Sequence, residues 1–324
     1  MYWVIDSEAS ARQRGPPQPW CEALDGFLQK TGIIATLGER SHHLESMTIA
    51  LFTAIVFLGA LLAGFLGALT GLGGGVVVVP LLSLLLGVDI RYAVGASLVS
   101  VIATSSGAAA AYVREGFSNI RIGMFLEIAT TFGALVGAYL ATRLPTATIG
   151  MVFGVVLLIS AYFSSREPPQ SDAGHPPDRL AHWLKLEGRY PTPQGEQSYQ
   201  ARGVPLGFGM MFGAGALSGL LGIGSGAMKV LAMDQAMGLP FKVSTTTSNF
   251  MIGVTAAASA GIYLSRGFLD PGLAMPVMLG VLAGSMLGAR VLVKARTRSI
   301  RIVFALVIVA LAIEMIFNSI KGRL

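Results

Sequence analysis

Only one cysteine, Cys21, occurs in the 324 residues, so neither an intramolecular disulfide nor a thiolate metal cluster is available. Charge is scarce as well. Asp, Glu, Lys and Arg make up 12% of the chain, against roughly 25% in soluble domains. That shortage disfavours the soluble two-domain enzyme that length alone would suggest. The histidines, His42, His43, His175 and His182, all fall in polar stretches, which argues against a metal site in an apolar segment. No Ser/His/Asp set or carboxylate pair is spaced for hydrolysis, and no nucleotide-binding motif is visible. Neither an enzyme nor a cofactor-dependent protein is therefore expected.

What is abundant is apolar: 53% of residues are hydrophobic, and the mean hydropathy is +0.67. The expected class is an all-α polytopic membrane protein whose principal partner is the lipid bilayer. The net charge of +6 then orients loops toward the cytoplasm rather than binding nucleic acid. Self-association into a homo-oligomer is compatible with this composition and is left open.

Residues 1–47 form a polar N-terminal extension with a Pro-Pro turn at 16–17. No charged start runs into an apolar core there, so no cleavable signal peptide is read, and no function is assigned. From Thr48 to Gly87 there is no charged residue. A helix needs about 20 apolar residues to cross the hydrocarbon core, and 48–68 meets that length. Apolar runs follow at 76–87, 93–113, 122–142 and 148–163. After a polar connector at 164–203 they return at 205–221, 226–239, 244–264, 272–292 and 302–319. About eight to ten membrane segments are expected, in regions 48–163 and 204–320.

The two regions share a rhythm, and one constant offset of 151 superimposes them without gaps. Gly64 falls on Gly215, Gly71 on Gly222, Gly73 on Gly224 and Gly75 on Gly226. Ser97 falls on Ser248, Tyr112 on Tyr263, and Gly116-Phe117 on Gly267-Phe268. Such an internal repeat, interrupted by glycine at the same place in each half, is the pattern of secondary transporters. Lys294, Arg296, Arg298 and Arg301 crowd one loop, whereas its mate around 143–147 carries only Arg143. By the positive-inside rule the two loops lie on opposite sides, which favours inverted halves and a cytoplasmic connector. Lys321 and Arg323 run against that trend.

Three groups of residues could carry chemistry. Gly73, Gly74 and Gly75, and their counterparts Gly224, Ser225 and Gly226, each open a short apolar segment. Helix N-termini there would present unpaired amides and a positive dipole end to an anion. The plainer alternative is close helix packing. Lys229 lies alone in an apolar run, and its mate is Val78. Intramembrane ionisable residues are costly and default to function, but Lys229 could instead snorkel or pair structurally with Asp234. Ser97, Ser248 and Asn249 are read as beginning helices directly after the short segments, where they could face the glycine runs, while the other hydroxyls of 97–106 and 244–249 are expected to bond back to backbone. Glu127, Arg290 and Glu314 read as nearer segment ends, pairing or snorkelling.

The segment from Gly64 to Pro80 (GFLGALTGLGGGVVVVP) resembles the glycine signature of the sulfite exporter TauE/SafE family, as does its second copy from Ser218 to Lys229 (SGLLGIGSGAMK). The resemblance covers roughly residues 48–319. Two departures stand out: Ser225 replaces the middle glycine, and Leu231 stands where the first half has Pro80. Members of that family are integral membrane proteins with two homologous halves that move sulfur-containing anions such as sulfite and organosulfonates and related small acids. The prokaryotic members lie in the cytoplasmic membrane. The resemblance thus implies an alternating-access carrier of a small anionic substrate. A passive anion channel is the alternative of the same composition.

Overall fold

The uncharged stretch after Thr48 becomes a helix and then a short, irregular one. The computed structural model describes residues 41–70, 74–114, 119–165, 179–184, 186–192, 195–292 and 297–322. In chain order the helices are α1 (Ser41–Thr70), α2 (Gly75–Pro80), α3 (Ile90–Arg114), α4 (Ile120–Ala141), α5 (Thr146–Ser165) and α6 (Arg179–Trp183). A hairpin of β1 (Glu187–Thr192) and β2 (Gly195–Gln200) leads to α7 (Val204–Leu221), α8 (Gly226–Leu231), α9 (Phe241–Ser265), α10 (Pro271–Leu292) and α11 (Thr297–Ile320).

Both short helices widen into a π turn, at Leu81–Leu85 after α2 and at Ala232–Ala236 after α8. Pro80 removes an N–H from the first of these. The second widens with no proline, so proline is not the shared cause. The elements α8, the second π turn, α9, α10 and α11 each start 151 residues after α2, the first π turn, α3, α4 and α5.

Among the described residues, four helices contain windows long and apolar enough to cross a membrane: Ala50–Gly67, Ile120–Ala141, Val204–Leu221 and Pro271–Gly288. They pack as two pairs, α1 with α10 and α4 with α7. In lipid there is little hydrophobic gain from bringing helices together, so close approach through small residues must do it. A Cβ on Gly133 or Gly137 of α4 would run into the Phe212 or Ala216 backbone, and one on Gly215 or Gly219 of α7 into Thr130 or Ala134. These contacts ascend together along both chains, so α4 and α7 run parallel. Gly280 and Gly284 of α10 meet Phe57 and Leu61 of α1 in the same ascending sense.

The opposite face of α4 exposes Met124, Ile128, Phe132 and Val136 at four-residue spacing, while Leu126, Glu127, Ala129, Thr130 and Ala134 are buried. An outward stripe of bare apolar side chains fits lipid. Leu51, Leu58 and Leu62 on α1, and Leu306, Ile313 and Phe317 on α11, continue that surface. The all-α expectation holds for the apolar parts, and the departure from it lies in the connector. There Glu187 pairs with Gln200 and Thr192 with Gly195 in an antiparallel hairpin. Tyr199 on it accepts a hydrogen bond from Asn119 Nδ2 at 2.8 Å, tying the hairpin to the start of α4.

Candidate functional site

The chain between α7 and α8 cannot continue as a helix. Gly222 (φ 68°), Gly224 (φ 71°) and Ser225 (φ 44°) all adopt the left-handed region. Glycine does so at no steric cost, whereas Ser225 is strained there. Gly222 caps α7, its N–H bonding the Ser218 carbonyl at 2.8 Å. Tyr263 of α9, fully buried, donates to the Gly219 and Leu220 carbonyls at 3.2 and 3.3 Å and occupies acceptors that the helix end leaves open.

The two glycine segments come together. A Cβ on Gly75 would lie 2.7 Å from Ser97 Oγ and 3.1 Å from the Gly222 carbonyl oxygen. Ser97 Oγ donates to that same Gly222 oxygen at 2.8 Å, and Ser248 Oγ donates to the Gly226 oxygen at 3.3 Å. Thus Ser97 and Ser248 reach the glycine segments, although each lies inside its helix rather than at its start. Val94, Val101 and Ile252 pack around the backbone at this crossing. Asn249 is half-buried beside Ser248. Gly74 precedes α2 and its carbonyl accepts from the Val77 and Val78 amides. Gly73 lies outside the described residues, as do 1–40 and the loop 293–296 with Lys294 and Arg296.

Ser225 precedes α8, and its carbonyl accepts from the Lys229 amide at 3.1 Å. Its own Oγ is buried without a hydrogen-bond partner. One helical turn on, Lys229 is wholly inaccessible. Its ammonium donates to Thr255 Oγ1 at 2.5 Å, and Thr255 in turn donates to Glu127 Oε1 at 2.7 Å. Lys229 therefore bonds across to α9 and, through Thr255, to α4. Thr131 adds a second donor to Glu127 Oε1 at 3.2 Å, while Oε2 is buried and unpartnered.

Glu127 is the functional candidate the sequence reading passed over. Treated as peripheral, it sits two turns into α4 and is 7% exposed. The available signal was its isolation: it is the one acidic residue of 120–141. Its mate at the 151-residue offset is Met278, just as the mate of Lys229 is Val78. Glu314 is exposed on α11. Of the remaining hydroxyls, Ser100, Thr104, Ser106 and Thr246 bond backbone carbonyls of their own helices as expected, whereas Thr247 Oγ1 accepts from the Asn119 amide and Ser244 Oγ is buried without a hydrogen-bond partner. Among the described residues no group of three or more His, Cys, Asp or Glu could hold a metal ion.

Parallel apolar helices with an outward apolar stripe define an integral membrane protein. The sequence model of the sulfite exporter TauE/SafE family matches residues 56–315, and the chain belongs to that family, as a membrane transporter. It is 29% identical over 280 residues to the probable membrane transporter protein YunE of Bacillus subtilis, covering 83% of this chain and 98% of the relative. YdhB of the same organism, also named a probable membrane transporter protein, is 29% identical over 247 residues, covering 74% and 89%. The probable membrane transporter protein ORF9 of a Sinorhizobium species is 22% identical over 263 residues, covering 81% and 92%. These relatives are named as transporters, not enzymes. No solved structure matches the chain.

Proposed function

We propose that this protein is a secondary carrier of a small anion, such as sulfite, an organosulfonate or a small carboxylate, working by alternating access in the cytoplasmic membrane. One observation carries the reading. Lys229, a fully buried cation, lies one turn beyond the unpartnered Ser225 hydroxyl where two glycine segments meet. An ammonium buried inside a membrane protein is costly even when bridged to a carboxylate through a hydroxyl, as Lys229 is to Glu127, and an unsatisfied buried hydroxyl costs about 1–3 kcal/mol. An anion placed between them would relieve both. Gly224, Ser225, Gly226 and Lys229 form the second-half side of this site, with Gly74 and Gly75 opposite; Gly73, outside the described residues, is assigned to it by its place in the glycine motif. Ser97, Ser248 and Asn249 act at its rim. The first two brace the glycine carbonyls here and are free to turn when the segments part.

The carrier is built from two homologous, inverted halves. The constant 151-residue spacing of the elements supports the duplication. Inversion follows if each of five segments per half reverses direction. The first and fourth segments of a half then oppose one another, and α7, parallel to α4, opposes α1. Movement is a rocking of one half on the other about the crossing of Gly75 and Gly222.

The test is counterflow in proteoliposomes. A carrier gives saturable exchange of labelled sulfonate or sulfite, whereas a channel gives large non-saturating currents. Lys229→Met is expected to abolish exchange and Lys229→Arg to alter its affinity. If neither substitution changes the flux or its salt dependence, the anion site is misplaced.

A further inference from the structure

The chain from Lys229 to Glu127 spans both halves and has no counterpart at the symmetry-related positions, where Val78, Thr104 and Met278 stand. Packing did not require it, since the mated positions pack without charges. A neutral pair could have been held by direct contact. Instead one hydroxyl separates the charges, and one carboxylate oxygen, Glu127 Oε2, is kept buried with no hydrogen bond. Buried carboxylate oxygens are ordinarily satisfied, so an unpartnered one is a place for a proton.

We propose that Glu127 is a proton-binding site that couples anion movement to proton movement, because Glu127 and the transported anion take turns as the counter-charge of Lys229. The inference rests on the anion reading above. With the site empty, Lys229 and ionised Glu127 cancel through Thr255. If an anion joins them while Glu127 stays ionised, the buried site carries a net negative charge, which the low-dielectric interior disfavours. A proton from water that forms an O–H bond at Oε2 restores neutrality. On the far side that bond breaks, the proton passes to water, the anion leaves, and Glu127 resumes its place. One proton thus accompanies each monovalent anion.

Few other charges face this centre among the described residues. Helix α7, packed on α4, contains no ionisable side chain. From α9 come Lys242, exposed near its start, and Tyr263, which is committed to the Gly219 and Leu220 carbonyls. The second π turn brings buried Asp234, five residues beyond Lys229, and α4 itself adds Arg121 in its first turn and the exposed Tyr139 in its last.

The experiment uses the purified full chain in proteoliposomes, with methanesulfonate as probe, because this strong-acid anion carries no proton of its own. At zero membrane potential the unaltered protein is expected to accumulate it about tenfold per unit of pH gradient, with one proton entering per sulfonate by an internal pH dye. Glu127→Gln is expected to keep sulfonate counterflow, which also shows that it folds, and to lose all pH-driven accumulation. Accumulation by Glu127→Gln equal to that of the unaltered protein would overturn the proton assignment and leave the anion site standing. Should that variant not fold, the unaltered protein still decides: counterflow with no proton entry overturns the inference alone. Absence of saturable counterflow in the unaltered protein overturns the anion reading and this inference with it.

Discussion

Replacing Lys229 by methionine keeps the length of the side chain and removes its charge, leaving ionised Glu127 buried with only hydroxyl donors. The size of the effect can be worked from the geometry. Hydrogen bonds of 2.5 and 2.7 Å join Lys229 Nζ to Glu127 Oε1 through Thr255 Oγ1, so the charges lie no more than about 5 Å apart. At an effective dielectric of about 20, two unit charges at that distance attract by roughly 3 kcal/mol. Breaking a buried pair by removing one partner costs about 3–5 kcal/mol because the survivor is stranded. Lys229→Met is therefore expected to lower unfolding free energy by about 3–4 kcal/mol. Glu127→Gln should cost somewhat less, since glutamine still accepts from Thr255. The double variant is expected to be close to the better of the two singles, giving a coupling energy about equal to the Lys229→Met effect, about 3–4 kcal/mol. Equilibrium unfolding in mixed detergent–SDS micelles, followed by circular dichroism, measures all four proteins. If the single effects add to within about 0.5 kcal/mol, the two charges do not share a site and both the anion and the proton readings lose their foundation.

Three further outcomes are expected. Ser225→Gly relieves a serine held at φ 44° and should stabilise the protein by about 1 kcal/mol, while removal of the hydroxyl slows sulfonate counterflow; stabilisation with unchanged transport would show that Ser225 Oγ takes no part. At Gly137 a Cβ would enter the Ala216 backbone, so Gly137→Leu should cost about 3 kcal/mol or more, measured by the same unfolding assay. Gly213→Ala, in open space, should be neutral or gain up to about 1 kcal/mol. Burial pushes the Tyr199 phenol above the ordinary tyrosine range despite its hydrogen bond from Asn119. The folded hairpin thus holds that proton more tightly than the unfolded chain does. Its contribution is complete below a pH of about 10 and is lost as pH rises through the higher folded value. Phenolate absorbance against pH should show a late-titrating component that Tyr199→Phe diminishes by one tyrosine.

The membrane-spanning class was legible because the bilayer constrains sequence so severely. A chain with 12% charged residues and an uncharged run from Thr48 to Gly87 has no other solvent. Glycine placement was legible for a related reason: Gly222 and Gly224 require φ values that other residues reach only under strain, so the end of α7 is written at those positions. Which side chains meet was not legible. Lys229 and Glu127 are 102 positions apart and on different helices, so no local spacing could bring them together on paper. The hairpin was also hidden, because its alternation of polar and aromatic residues is short and interrupted by Pro191 and Pro193.

Symmetry and function pull in different directions in this chain, and the pattern of departures from symmetry is itself informative. The duplicated scaffold we propose would need matched glycines, and at the 151-residue offset glycine meets glycine: Gly64 with Gly215, Gly75 with Gly226, Gly133 with Gly284. Each sits at a close approach where a Cβ would meet a backbone atom or the Oγ or methyl tip of a side chain. A substrate has no such symmetry, and neither does its site. Lys229, Glu127 and Ser225 replace what are Val78, Met278 and Gly74 in the mated positions. All three raise the energy of the folded chain, two by burying charge and one by backbone strain. Three costly departures gathered where the glycine segments meet are hard to explain as drift, because each would be removed by the residue already present in the other half. Reverting them together, as Lys229→Val, Glu127→Met and Ser225→Gly, is expected to yield a protein at least as stable as the original that no longer exchanges sulfonate. A less stable product would show that the polar centre serves the fold rather than transport.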